Sequence, residues 1–151
     1  PSKVRVQHSP IHGYGVFAIE DIPAGMVIEE CVVATETISA VYEYYGKSTI
    51  NRNSDLMLRY RFQGPMTRHG NVDFYVIPAG FAMVYNHSND NNVIWHHDVE
   101  NRLMVFKALK PIKKGEECCT NYGYNPETVN PLTVEEELTA IDSDINVKKG
   151  E

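Results

Sequence analysis

The chain has 151 residues, 42% hydrophobic and 23% charged, with a formal net charge of −6. A length of this order suits one domain that buries about 68–70% of its unfolded surface without staples. No apolar run is long enough to span a bilayer, and the opening residues PSKVRV show no signal-peptide pattern, Pro1 hinting at a trimmed terminus.

The charge is unevenly spread. Residues 1–125 carry 13 acidic against 12 basic side chains, a balance of −1, and residues 126–151 carry 7 against 2, a balance of −5. A near-neutral body without a basic stripe argues against phosphate-driven binding of nucleic acid, and an acidic tail suits a basic peptide partner. The three cysteines, Cys31, Cys118 and Cys119, are odd in number and include an adjacent pair, which is a poor disulfide framework. A reducing, intracellular compartment is expected.

In chain order the body reads as short strands, so a mainly β fold is expected. VRV at 4–6 opens it, and VFAI at 16–19 runs into the Pro23–Gly25 turn, from which MVI at 26–28 emerges. Residues 38–45, ending at Gly46, are the clearest helix candidate of the body. Leu56, Leu58, Tyr60 and Phe62 alternate onto one strand face, and residues 63–71 form a Gly/Pro-bearing connection. FYVI at 74–77 stops at Pro78. VIW at 93–95 and LMVF at 103–106 flank a turn around 98–101, as a hairpin would. Thr133 and Glu136 match a capping box for a helix over 134–141, the alternative being a loose acidic tail.

One internal echo stands out. AIEDIPAG at 18–25 and ALKPIKKG at 108–115 match at a constant offset of 90 in Ala, Ile and Gly, with Ile19 facing Leu109. Both read as strand, glycine turn, strand. Either such units look alike by chance, or two similar β-units pack together.

Three stretches look like site material. His12-Gly13-Tyr14-Gly15 precedes a strand, and its glycines would let backbone approach a ligand closely. It is no dinucleotide fingerprint, because the third glycine and the βαβ unit are missing. Asn86-His87-Ser88 follows the apolar run at 81–85. A metal reading would recruit His87, His96, His97 and His69, but the spacing is unlike any compact zinc motif, so no metal site is expected. GEECCTNYGY at 115–124 sets Tyr122 and Tyr124 around a glycine at a strand end, where phenols could line a narrow, polar-tipped channel.

The ordered trio resembles the SET-domain protein lysine methyltransferases, and most of all the small stand-alone SET proteins of viruses and bacteria. The resemblance covers about residues 4–125. It implies a SET-domain β-clip fold of small curved sheets, in which the segment of Asn86 and the segment of Tyr122 make a pseudoknot-like crossing. It divides the chain into a SET domain over 1–125 and an acidic C-terminal segment over 126–151, a short helix of which would close the substrate side. It also implies S-adenosyl-L-methionine as cofactor and S-adenosyl-L-homocysteine as product. Cofactor contacts fall to His12, Gly13, Tyr14, Gly15, Tyr85, Asn86, His87 and Tyr122, with Tyr122 as catalytic tyrosine. Tyr124, Trp95 and Tyr85 would wall the lysine channel. The implied partner is a basic, lysine-containing protein or peptide, with no membrane or direct nucleic-acid partner; a homodimer is open.

Two departures matter. Asn91 stands where the family often carries a proline, so a looser turn is expected, and a channel tyrosine of some relatives is replaced around Cys31. The competing reading is a SET-like or β-clip module that binds a peptide or sugar without catalysis; a metallohydrolase is a distant third.

Overall fold

The computed structural model describes residues 1–37, 62–64 and 74–123. The helix expected over 38–45, the strand over 56–61, most of the 63–71 connection, the 134–141 helix, Tyr124 and the acidic segment lie outside the described residues. The chain forms two compact units, one of residues 1–34 with 78–129 and one of residues 35–77 with 130–151.

The first unit is built of two antiparallel-rich sheets. Strand β1 (Val4–His8) pairs antiparallel with β2 (Tyr14–Ala18), Val4 opposite Ala18 and His8 opposite Tyr14. Strand β3 (Val27–Thr37) starts in this unit and runs far beyond the three residues the apolar pattern marks. In the second unit, β4 (Phe62–Gln63) pairs antiparallel with β5 (Phe74–Pro78), placing Phe62 opposite Val76, which is buried.

Back in the first unit, the apolar run at 81–85 is a single 3-10 turn over Ala82–Val84, followed by the two-residue β6 (Asn86–His87). Strand β7 (Val93–Asp98) and β8 (Leu103–Ala108) form the expected hairpin, and β8 pairs on its other side with β3. Strand β9 (Glu117–Thr120) lies between β2, which it meets antiparallel, and β6, which it meets parallel. A parallel pair so short has no crossover helix of its own. It forms because chain 33 residues downstream of β6 returns alongside it.

The 90-residue echo is a packed pair. Ile22 and Ile112 exchange both backbone hydrogen bonds, at 2.8 and 2.9 Å, and both side chains are buried. Gly25 N–H donates to Ala108 and Gly115 N–H donates to Ala18, each at 2.8 Å. Ala18 N–H reaches Glu116 and Ala108 N–H reaches Met26 in the same reciprocal way. Gly25 and Gly115 have φ of 79° and 90°, a conformation that costs a glycine nothing and other residues about 1 kcal/mol or more. The stretches at 18–25 and 108–115, both in the first unit, therefore share both a sequence pattern and the backbone geometry that pattern demands.

The core of this unit is lined by Val16, Phe17, Ile22, Ile112, Met104, Phe106 and Cys118. The ring of Phe106 lies flat on that of Tyr85, centroids 4.8 Å apart and planes 7° apart. On β3 a bulge between Val27 and Glu29 inserts one residue against β8. Simple alternation from Ile28 would turn Glu30 and Val32 inward. The bulge resets the phase, so Glu29 and Cys31 are buried while Glu30 and Val32 face out.

Candidate active site

The three stretches singled out in the sequence meet, and the meeting point is Asn86. Its side chain is 7% exposed, and its amide donates to three oxygens: the carbonyls of His12 and Tyr14, each at 3.1 Å, and Glu117 Oε1 at 2.7 Å. One amide thus joins the glycine-bearing loop before β2 to strand β9. Ser9 Oγ donates to the same carboxylate, 2.8 Å from each oxygen. Glu117 is the acceptor that the amide, buried in this way, requires.

Gly15 has a different reason from the one its sequence suggests. The space where a Cβ would stand is filled by the Glu117 carboxylate, with Asn86 Nδ2 next to it. The close approach at position 15 is made by this chain's own carboxylate. Gly13, by contrast, has open space around its Cα. Tyr14 is exposed and stacks on His8, ring centroids 4.4 Å apart.

His87 and Tyr122 are in direct contact. The backbone N–H of Tyr122 donates to His87 Nδ1 at 3.0 Å, and the two rings lie 5.1 Å apart. Because Nδ1 accepts, the ring proton of a neutral His87 sits on Nε2, which lies 3.0 Å from Asn89 Oδ1. The Tyr122 hydroxyl donates to the carbonyl of Tyr85 at 2.6 Å. Tyr122 remains 40% exposed, whereas Tyr85 is 2% exposed. Tyr85 thus presents its carbonyl to Tyr122, while its ring packs on Phe106.

The turn expected to be loose without a proline is tied by side chains. Asp90 N–H donates to Ser88 Oγ, and Asn91 Nδ2 donates to the carbonyl of Val93. Asn92 clamps β9 from both sides of its amide: Nδ2 donates to the Glu117 carbonyl and Oδ1 accepts from Cys119 N–H, both at 2.8 Å. Three asparagine and serine side chains therefore supply the order that one ring would have supplied.

Trp95 stands opposite Phe106 across the β7–β8 ladder, on the same face of the sheet, and meets His97 edge-on at 5.3 Å. His96 and His97 alternate along β7, and among the described residues no three His, Cys, Asp or Glu side chains are grouped to hold a metal. The three thiols are buried. Burial, with the charge of Glu29, pushes Cys31 up to about 12; burial, with Cys119 and Glu117 nearby, pushes Cys118 up to about 12; burial and Glu117 push Cys119 up to about 11. They stay protonated near neutral pH and are not nucleophiles there.

Sequence reasoning did not single out Ser9, Asn92 and Glu117, which bond around Asn86 and β9, nor the buried Glu29. The repeated Asn of NHSNDNN and the paired Glu of GEE and IEEC were the available signals. Neither says which member of a pair turns inward.

Joined through Asn86 and strand β9 are the loop that carries the exposed Tyr14 ring, the His87 imidazole, and the Tyr122 phenol with its proton on the Tyr85 carbonyl. Oxygen acceptors and aromatic faces are what a sulfonium cation and a purine ring ask of a pocket, so these residues fit S-adenosylmethionine.

Comparison with known proteins gives the same picture. The family pattern described as the SET domain matches residues 13–123. A Schizosaccharomyces pombe protein, the histone-lysine N-methyltransferase specific for H3 lysine-37, is 29% identical over 122 residues, covering 81% of this chain and 74% of that protein. A candidate histone methyltransferase of Plasmodium falciparum superposes with a TM-score of 0.60 at 24% identity, over 82% of this chain and 95% of that one. Polycomb Repressive Complex 2 of Chaetomium thermophilum bound to S-adenosylmethionine gives 0.61 at 23% identity, over 95% of this chain and 17% of that one. At such identities the two structures speak for the fold.

Proposed function

The chain belongs to the SET-domain family, and from that premise we propose how its residues divide the work of a protein-lysine N-methyltransferase. The reaction moves the methyl group of S-adenosylmethionine to the side-chain amine of a lysine in a protein such as a histone. The cofactor, when bound, supplies an electrophilic methyl group on a sulfonium.

The protein's part is to hold, orient and dry. Asn86 supports the cofactor site indirectly: it holds the carbonyls of His12 and Tyr14 and thereby sets the loop of Gly13, Tyr14 and Gly15. His87 sets the backbone of Tyr122. The observation that carries the reading is the Tyr122 hydroxyl. Its proton is committed to the Tyr85 carbonyl, so toward a bound methyl group the oxygen can act only as an acceptor. Such an oxygen orients a polarised methyl group through CH···O contacts of about 0.5–1 kcal/mol each. Alignment of the two reactants contributes up to roughly 7–11 kcal/mol.

A lysine amine must arrive neutral. With an ordinary pKa of about 10.4, removing its proton at pH 7.5 costs roughly 4 kcal/mol. A water-poor approach next to a sulfonium lowers that cost by desolvation and like-charge repulsion. No dedicated general base is needed, and the proton leaves to water. The acidic composition of residues 126–151 favours a basic substrate peptide, in keeping with a histone tail and an intracellular protein.

The test is transfer of labelled methyl from S-adenosylmethionine to a lysine-bearing histone peptide. Wild-type protein is expected to label the lysine. Tyr122→Phe is expected to lower kcat about 100-fold, as misalignment of this order does, while cofactor affinity by calorimetry stays within about twofold. Cofactor binding without any transfer by the wild type would favour the binding-module reading, for which the well-packed NHS turn alone would suffice.

A further inference from the structure

Near Tyr85 lies a buried carboxylate, with a buried thiol beside it, that this division of work leaves unused. Glu29 is 6% exposed, turned inward by the β3 bulge. Its Oε2 accepts the backbone N–H of Phe81 at 3.2 Å. Its Oε1 and the hydroxyl of Tyr85 are the two buried side-chain polar atoms among the described residues that lack a partner within ordinary hydrogen-bond geometry. One is an acceptor and the other carries a donor. Glu29 is also near enough to Tyr85 that its charge, after burial itself, pushes the phenol well above its ordinary range. The buried thiol is that of Cys31.

A buried carboxylate so incompletely bonded is costly, and an apolar side chain would fill the space at less cost. What Glu29 does hold is the start of the 3-10 turn. Phe81 is the N-terminal cap of that turn, Val84 N–H closes it on the Phe81 carbonyl at 2.8 Å, and Tyr85 ends it. Ala79 N–H on the Val32 carbonyl holds the same segment against β3. Gly80 leaves room for the carboxylate: a Cβ there would stand 2.9 Å from Glu29 Oε2. One turn later, the Tyr85 carbonyl receives the Tyr122 hydroxyl.

We propose that Glu29 is a positioning residue for methyl transfer: by gripping Phe81 N–H at one end of the 3-10 turn and facing the Tyr85 phenol at the other, it sets the Tyr85 carbonyl that orients the Tyr122 hydroxyl. The inference rests on the role given to Tyr122. Glu29 touches neither the lysine nor the cofactor. Its action on turnover runs through a backbone carbonyl.

The experiment is a double-mutant cycle read in kcat at saturating cofactor and peptide. Glu29→Gln keeps the shape and one acceptor but loses the charge. It is expected to lower kcat about 10-fold, a fraction of what a 1 Å misplacement costs, with cofactor Kd within about twofold. In the Tyr122→Phe background the same change is expected to cost nothing further, because the hydroxyl it positions is gone. Equal fractional losses in both backgrounds, an unchanged kcat in Glu29→Gln, or a matching loss of cofactor affinity would each overturn the proposal. Tyr85→Phe carries the same cycle if Glu29→Gln does not melt cooperatively. Where transfer in the Tyr122→Phe background is too slow to read, 13Cζ-tyrosine NMR decides. The Tyr122 resonance, identified by its loss in Tyr122→Phe, must move in the variant protein, and an unmoved resonance rejects the role. A wild-type protein that transfers no methyl group refutes the enzyme reading and leaves the resonance to judge Glu29 separately.

Discussion

Two carboxylates leave equivalent turns in this molecule and meet different fates. Glu117 follows Gly115, and Glu29 follows Gly25, the two glycines of the paired β-units. Each carboxylate lies over a glycine that has no Cβ to obstruct it, Gly15 for Glu117 and Gly80 for Glu29. Glu117 is amply bonded, by Ser9 to both oxygens and by Asn86 to one. Glu29 keeps one bond and leaves one oxygen without a partner. A saturated carboxylate is a fastener: its bonds repay its desolvation, and its loss should read as lost stability. An unsaturated one stabilises little, so its loss should read in geometry more than in folding.

The largest effect expected is at the fastener. Glu117→Ala removes the acceptor of Ser9 and of the Asn86 amide, and bonds to a charged group contribute about 1.5–3 kcal/mol each. A drop in unfolding free energy of roughly 3 kcal/mol is expected by denaturant titration, together with weaker cofactor binding by calorimetry as the loop of Gly13, Tyr14 and Gly15 comes free. If Glu117→Ala melts like the wild type, the contrast between the two carboxylates collapses.

A smaller effect is expected at the unsaturated partner. Tyr85→Phe removes a hydroxyl that has no partner in hydrogen-bond geometry while keeping the ring that stacks on Phe106. Its unfolding free energy should stay within about 1 kcal/mol of wild type, even as turnover falls. A loss of several kcal/mol would mean the phenol is a fastener too.

The smallest effect is alkaline. Cys31, Cys118 and Cys119 are raised from 9.0 to about 12, 12 and 11 in the folded protein. The unfolded chain therefore releases thiol protons first as pH rises. Stability is full below about pH 9 and falls between pH 9 and 11–12, where the unfolded state holds fewer protons than the native one. The melting temperature should decline over that window, and Cys118→Ala should flatten the decline. An equally steep decline in Cys118→Ala would assign it to other groups.

Much of this architecture was legible in the residues themselves. The strands at 4–6, 74–77, 93–95 and 103–106 announce themselves as short apolar runs with turn formers around them, and each begins or lies within a strand that forms; the run at 16–19 overlaps β2, which ends one residue earlier at Ala18. The 90-residue echo was visible because a positive-φ glycine, a buried isoleucine and a small alanine are each demanded by local backbone geometry. The order of the three motifs was enough to identify the family, its cofactor and its reaction.

What the sequence could not show is where the carboxylates point. IEEC read as a plain strand sends Ile28 and Glu30 the same way, and only a one-residue bulge against β8 turns Glu29 inward. Nor could it pair Asn86 with carbonyls 72 and 74 residues away, or Ser9 with a carboxylate 108 residues on. Local propensity is set by a residue and its near neighbours, so composition and period determine strands, turns and motif order. Side-chain direction at a bulge, and hydrogen bonds across long loops, depend on which strands meet and in what register, and that is decided only when the sheets pack.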